Sequence, residues 1–280
     1  MDDAVVTVPE LLELLAVSIK HATMASENMR FDFFDPQQRV CIGFLQAIIE
    51  YARAIHMVAS QGMYYAPTTM HRAALDAYVD IVNVCKDREY CEHLEAADAL
   101  SWKRLLERAS AGRNPLLKAI AEAEHFEDGR RMYSDTVREL EARGVKKLEP
   151  ADRFKLAEMT DEYEAAYAML SAEAHNNVSF VTNHYFVVST EEPALRPFGS
   201  TPGNGAPKAT VLNMAEIVLS ATEKVLRLCR HGTAILSPAR YVFEGIHARL
   251  VAAYPDAAIA PDDGTELASG LQKGPKLPGA

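Results

Sequence analysis

Long segments with apolar residues at alternating steps of three and four constrain this chain more than any other feature. The clearest segment opens at Asp35-Pro36, stops at Gly62, and carries a stripe of five residues: Phe44, Ile48, Tyr51, Ile55 and Val58. This spacing places the side chains on one helix face, because an α-helix has about 3.6 residues per turn. Similar patterns follow Pro9 and Pro67 and fill Thr210 to His231. We therefore predict a mainly α-helical, multi-helix bundle.

The predicted helices reach about residue 254, and we expect residues 1–254 to form a single helical domain. The charged segment 113–149, with narrow apolar stripes, is predicted to be an insertion or an arm. Only Phe180 to Val188 has the β-branched and aromatic content of a strand, and a weak return strand at Leu195 to Phe198 predicts a small β-hairpin near 180–198. Residues 255–280 are rich in proline and glycine and predict a disordered tail.

Charge and cysteine content limit the classes of partner and compartment. The net charge of −10 provides no general attraction to nucleic acid or to an anionic membrane surface. The four cysteines lack the paired spacing of a zinc site and the density of a secreted disulfide scaffold. The first residues are acidic, and no run of eighteen apolar residues occurs. We expect a cytoplasmic protein with reduced thiols and no membrane contact.

One predicted helix, from Asp161 to about Asn176, combines a buried face with side chains that can take part in acid–base or nucleophilic chemistry. At 100° per residue, Tyr163 and Leu170 face the core, and three polar residues form a ridge at its border: Tyr167, Ser171 and His175. Ser171 and His175 are four residues apart, as a nucleophile and its base could be. No strand–turn–helix elbow, the usual setting of a serine nucleophile, surrounds Ser171. In the non-catalytic alternative, the Ser171 hydroxyl donates to the Tyr167 carbonyl and His175 is a structural residue at the border of the core.

The helix that opens at Pro67 carries a line of four polar residues: Arg72, Asp76, Asp80 and Asn83. Such a line is usually the solvated face of a helix. Arg72, however, lies in an early turn, where the helix dipole disfavours a cation. It also precedes Asp76 by four residues, and an ion pair at this spacing is weaker when the basic residue comes first. A tertiary partner for Arg72 is the alternative to a solvated face.

Two Glu-x-x-His pairs match part of the ligand pattern of a di-iron bundle: Glu122/His125 and Glu244/His247. The first pair lies in a segment with charge on all sides, which favours solvent exposure. Chance pairs are expected in a chain with nine histidines and many glutamates. We therefore predict no metal site and no cofactor.

Two sequence features carry a resemblance to a known family. One is a helix with Arg72 near its start, and the other, some ninety residues later, is the motif Tyr-x-x-Leu-Ser-x-x-x-His from Tyr167 to His175. The combination resembles a family of uncharacterised all-helical bacterial proteins, which in turn resembles the HEPN superfamily of small helical bundles. Many superfamily members are metal-independent ribonucleases of toxin and phage-defence systems. The similarity covers roughly residues 36 to 232. The superfamily signature has an arginine four to six residues before its histidine, and the interval from Met169 to Ala174 contains none.

The resemblance implies a HEPN-like protein of bacterial defence or toxin type that binds RNA or cleaves it without metal. It assigns catalytic roles to three residues: His175, Arg72 and Ser171. It assigns substrate contacts to three others: Asp76, Tyr167 and Asn176. If Arg72 replaces the signature arginine in space, the Arg–His pair could stabilise charge and move a proton during 2′-hydroxyl attack on phosphate.

The acidic charge and the missing motif arginine favour a different class, a non-catalytic protein-interaction module of helical-bundle fold. The partners that the sequence leaves open are RNA, another protein, and a second copy of the chain in a homodimer.

Overall fold

The computed structural model describes residues 6–63, 66–175, 177–187, 194–195 and 206–253, and these residues form a mainly α-helical bundle, as predicted. Its longer helices are α1 (Val8–Glu27), α2 (Pro36–Ser60), α3 (Ala66–Lys86), α4 (Tyr90–Ser110), α6 (Phe126–Ala142), α11 (Ala206–Leu228) and α12 (Ser237–Ala253). Its shorter helices are α5 (Lys118–Ala121), α7 (Pro150–Ala157), α8 (Thr160–Glu162), α9 (Ala168–Ala174) and α10 (Val178–Tyr185). The predicted tail, residues 255–280, lies outside the described residues.

The first two helices begin where the sequence predicts, because local hydrogen bonds satisfy their free N–H groups. At α1 the Glu10 N–H donates to the Thr7 hydroxyl, while the Glu10 carboxylate accepts from the Thr7 N–H at 2.8 Å. At α2 the Asp35 carboxylate accepts from the Gln37 N–H at 3.1 Å. Both starts place a proline in the first turn, where its missing N–H costs nothing.

Four helices, α1, α2, α3 and α11, pack together around the main core. Leu14, Ile48, Ile81 and Met214, one from each helix, are fully buried there. Helices α7 and α9 pack on another side of α3, and α6 packs on α4. Helix α3 therefore joins the core to the segment that carries the predicted site.

Helix α2 is long and apolar enough to cross a membrane by length and composition alone. A core helix of a soluble protein passes the same test, and α2 packs against α1, α3 and α11 along its buried side. The finding is therefore weak evidence for a membrane span.

The β-hairpin predicted near 180–198 is not formed as predicted. Residues 180–185 lie in helix α10, and the described residues keep only a two-residue antiparallel pairing of Phe186–Val187 with Ala194–Leu195. The aromatic and β-branched residues that suggested a strand also allow a helix, because propensity is a weak local preference.

A π-helical turn, Tyr163–Tyr167, separates α8 from α9 and changes which tyrosine is buried. Regular helical periodicity predicts Tyr163 on the core face and Tyr167 at its border, but Tyr167 is buried and Tyr163 is partly exposed. The wider turn shifts the helical phase that 100° per residue assumes. Both rings still contact Phe154, with centroids 5.3 and 5.0 Å away.

His71 of α3 is a buried polar residue that no sequence pattern indicated, and it is 4% exposed. Burial lowers the pKa of His71 from its ordinary value of 6.5 to about 4. A buried imidazole stays neutral because a charged ring would lose its hydration.

Leu170→Ala is expected to destabilise the protein by about 2 to 5 kcal/mol, because Leu170 is buried on α9 and its removal leaves a cavity. The adjacent Met169 is 66% exposed, and Met169→Ala is the matched control with an expected change within about 0.5 kcal/mol. Urea midpoints of both variants and the wild type measure the difference. Equal midpoints would show that α9 does not dock on the core.

The protein is expected to lose on the order of 2 to 3 kcal/mol of stability through His71 as the pH falls from 6.5 to 4. The folded pKa lies below the ordinary value, so over this range the unfolded chain binds the proton more readily. The variant His71→Gln cannot titrate and should lose less stability over the same range. Free energies of unfolding at several pH values test this, and parallel curves for the two proteins would contradict it. Carboxyl groups titrate in both proteins and cancel in the comparison.

Candidate functional site

Arg72, Tyr167 and His175 meet where the π-helical turn and α9 pack on α3. One guanidinium nitrogen of Arg72, Nη1, lies 3.2 Å from His175 Nε2. The other, Nη2, donates to the Tyr167 hydroxyl at 3.0 Å. The tertiary partner that was one alternative for Arg72 is therefore present, and it consists of two residues from the predicted ridge.

The geometry fixes the roles of the ring nitrogens of His175. An arginine has only donors, so Nε2 accepts from Arg72 and the ring proton sits on Nδ1. The guanidinium carbon also lies 5.1 Å from the centre of the Tyr167 ring, within the range of a cation–π contact. Arg72 is thus held in one orientation by a ring and two hydrogen bonds.

Arg72 also has a donor, Nε, that pairs with none of the described residues. Its Nε is buried and makes no hydrogen bond to the described residues. A buried unpaired donor costs about 1 to 3 kcal/mol, so a ligand oxygen that reached it would recover part of this energy.

A cleft of about 690 Å³ opens beside His175. Its walls are formed by residues of the π-helical turn and α9, including Tyr163, Tyr167, Ser171 and His175. His175 is exposed, and Ser171 is partly exposed one turn before it. The cleft is large enough for a small molecule or a few units of a polymer, since such sites span about 300 to 1,000 Å³.

Asp76, predicted to contact substrate, is instead engaged within the fold. It accepts a hydrogen bond from Arg153 Nη1 at 3.2 Å, and Asp80 accepts from Arg153 Nη2 at 2.7 Å and from the Tyr90 hydroxyl at 2.7 Å. Asp80 and Asn83 are buried, so the interpretation of this line as a solvated face is wrong. The line packs against α7, whose Arg153 carbonyl accepts from Asn83 at 2.9 Å.

Burial and charge act against each other in this cluster. Burial raises the pKa of Asp76 and Asp80, although Arg153 offsets part of the effect. Burial alone would lower the pKa of Arg153, but the carboxylates of Asp80 and Asp76 outweigh it and raise that pKa. The pairing keeps Arg153 charged between α3 and α7.

Two residues near the site escaped sequence reasoning, Arg153 and Glu173. Two aspartates one turn apart on a helix with apolar neighbours were the available signal for a cation such as Arg153. Burial raises the pKa of Glu173, and a hydrogen bond with Thr68 offsets part of that. Its Oε2 is buried without a partner among the described residues, two positions before His175. No pattern of spacing indicated it.

The remaining predicted residues are placed differently. Asn176 lies outside the described residues. The histidines of both Glu-x-x-His pairs, His125 and His247, are exposed. Within the part of the chain that the structure describes, no group of three or more potential metal ligands comes together.

The comparisons with known proteins identify a family without assigning an activity. A model of a family of unknown function, DUF5677, matches residues 38–193, which include α3, the π-helical turn, α9 and all described site residues. No curated protein matches the chain. No solved structure matches it. Because the match spans more than half of the sequence, the chain belongs to the DUF5677 family.

Proposed function

We propose that this chain is a HEPN-like protein of bacterial defence or toxin type that binds RNA and cleaves it without metal. The observation that carries the proposal is the contact of 3.2 Å between Arg72 Nη1 and His175 Nε2. The two residues are 103 positions apart in the sequence, and the signature arginine is missing from the helix of His175. In the superfamily signature the guanidinium comes from the helix that carries the histidine. In this chain Arg72 supplies it from α3.

In the proposed reaction, the substrate phosphate draws the Arg72 guanidinium away from His175 Nε2, and the freed Nε2 takes the proton of an RNA 2′-hydroxyl as that oxygen attacks the adjacent phosphorus. A 2′-O–P bond forms and the P–O5′ bond breaks, leaving a 2′,3′-cyclic phosphate and a 5′-hydroxyl. The proton taken up by His175 is returned to the leaving 5′ oxygen, so protons balance. Arg72 stabilises the negative charge that grows on the phosphoryl oxygens.

The walls of the cleft fit a single-stranded substrate better than a duplex. Tyr163 and Tyr167 stack at a centroid distance of 5.4 Å beside the cleft, and Tyr163, which is partly exposed, offers an aromatic ring to an unstacked base. The net charge of −10 opposes contact with a long phosphate backbone. We therefore assign to the site a short stretch of single-stranded RNA, in the cytoplasm where such a substrate occurs.

The alternative is a non-catalytic interaction module, and one observation favours it. Phe31, Phe33 and Phe34, between α1 and α2, are 45%, 60% and 88% exposed. Exposed aromatic side chains in a cluster are typical of protein contacts. The module requires neither Arg72 nor His175.

Purified wild-type protein is expected to cleave single-stranded RNA in the presence of EDTA, and His175→Ala and Arg72→Ala should each slow cleavage by on the order of a hundredfold or more. His175 is exposed, so its removal should cost no more than about 1 kcal/mol of stability. Product ends analysed by gel and mass spectrometry should carry 2′,3′-cyclic phosphates.

Two exposed residues distant from the cleft provide matched controls, His125→Ala and Arg131→Ala, and both should cut like wild type. If pure wild type cuts nothing, or if the site variants cut as well as the controls, the ribonuclease proposal fails and the interaction module stands. If His175→Ala unfolds the protein, His175 is a structural residue and the site is assigned wrongly.

A further inference from the structure

A second cleft, of about 340 Å³, lies on the other side of the segment that carries Tyr167. It opens between α3, the region of α8 and the π-helical turn, and α11. Leu75, Tyr78, Met159 and Ile217 provide apolar surface, and His71 and Glu162 provide polar groups. Its volume is in the range of about 300 to 1,000 Å³ that small-molecule sites occupy.

The inner wall of this cleft contains a polar atom to which the described part of the chain provides no hydrogen bond. His71 is 4% exposed, and its Nδ1 is buried without a partner among the described residues. Because burial lowers the pKa of His71 to about 4, the ring is neutral near pH 7, and Nδ1 is able to accept in the tautomer that carries the ring proton on Nε2. A ligand N–H that donated to Nδ1 would remove the cost of an unpaired buried nitrogen.

The charged residues at the cleft determine whether it favours a cationic or an anionic ligand. The Glu216 carboxylate is neutralised by Arg240, with Nη1 to Oε2 at 2.9 Å, and it also accepts from the Ser220 hydroxyl. Glu162 at the exposed edge has no ion pair with a described residue. The edge therefore presents one uncompensated negative charge, which attracts a cation and repels an anion.

We infer that this cleft binds a small aromatic amine, with a ring N–H donating to His71 Nδ1 and an ammonium group beside Glu162. The apolar walls cover the ring, and Tyr78 offers an aromatic surface against it. The site is separate from the cleft of His175, so it stands whether or not the protein cleaves RNA.

The test is calorimetric titration of the full chain with tryptamine and two matched ligands. Tryptamine should bind saturably with one site per chain. 1-Methyltryptamine lacks the ring N–H and should bind roughly threefold to tenfold more weakly, which tests His71 without altering the protein. Indole-3-propionate reverses the charge at the edge and should not bind.

Glu162→Gln should weaken tryptamine roughly threefold to tenfold, because it removes the charge and keeps the shape. Glu164→Gln is the matched control, since Glu164 is exposed on the same segment but lines the other cleft, and it should leave tryptamine binding unchanged. The inference is overturned if wild type shows no saturable binding, if the three ligands bind equally, or if Glu162→Gln and Glu164→Gln have the same effect.

Discussion

The attachment of the segment 150–175 to α3 is the interaction on which the candidate site depends. Arg153 bridges Asp76 and Asp80 on α3, and the fully buried ring of Phe154 seats the same helix in the core. A buried ion pair adds little net stability compared with apolar packing, but loss of one partner is costly. The ion pairs of Arg153 therefore determine the position at which α7 docks and add little to the free energy of docking. Since the π-helical turn and α9 follow directly, their position beside Arg72 is a consequence.

The π-helical turn converts this docking into a site with two faces. Its wider geometry brings Tyr167 inward against Phe154 and under the guanidinium of Arg72, while Ser171 and His175 stay at the open cleft. On the opposite face the same segment contributes Met159 and Glu162 to the cleft of His71. Neighbouring residues of α3 serve different surroundings, since His71 lines one cleft and Arg72, 100° further around the helix, contacts Tyr167 and His175. π-Helical turns are frequent at functional sites, where they place side chains that a regular helix would direct elsewhere.

The helices could be predicted from the sequence because proline starts and steps of three and four are local signals. The meeting of Arg72 with His175 could be anticipated from an arginine placed against its helix dipole, but its distance and the part played by Tyr167 could not. Local periodicity assumed one helical phase through Tyr163 and Tyr167, and the π-helical turn breaks that assumption. The burial of Asp80 depends on Arg153, 73 residues away, and the two neighbouring aspartates of α3 indicate a cation without indicating which residue supplies it. Residues 180–185 were assigned to a strand because of their β-branched and aromatic content, but that content also suits a helix, and they lie in α10.

The central claim is that Arg72 and His175 act as one unit across two helices. The most direct measurement is a double-mutant cycle on the rate of RNA cleavage in EDTA, with wild type, Arg72→Ala, His175→Ala and the combined variant. When two residues act as one unit, removal of either already removes their joint contribution to the rate. The combined variant should therefore be no slower than the slower single variant. Independent losses that multiply in the combined variant, or a wild type without cleavage, would contradict the claim.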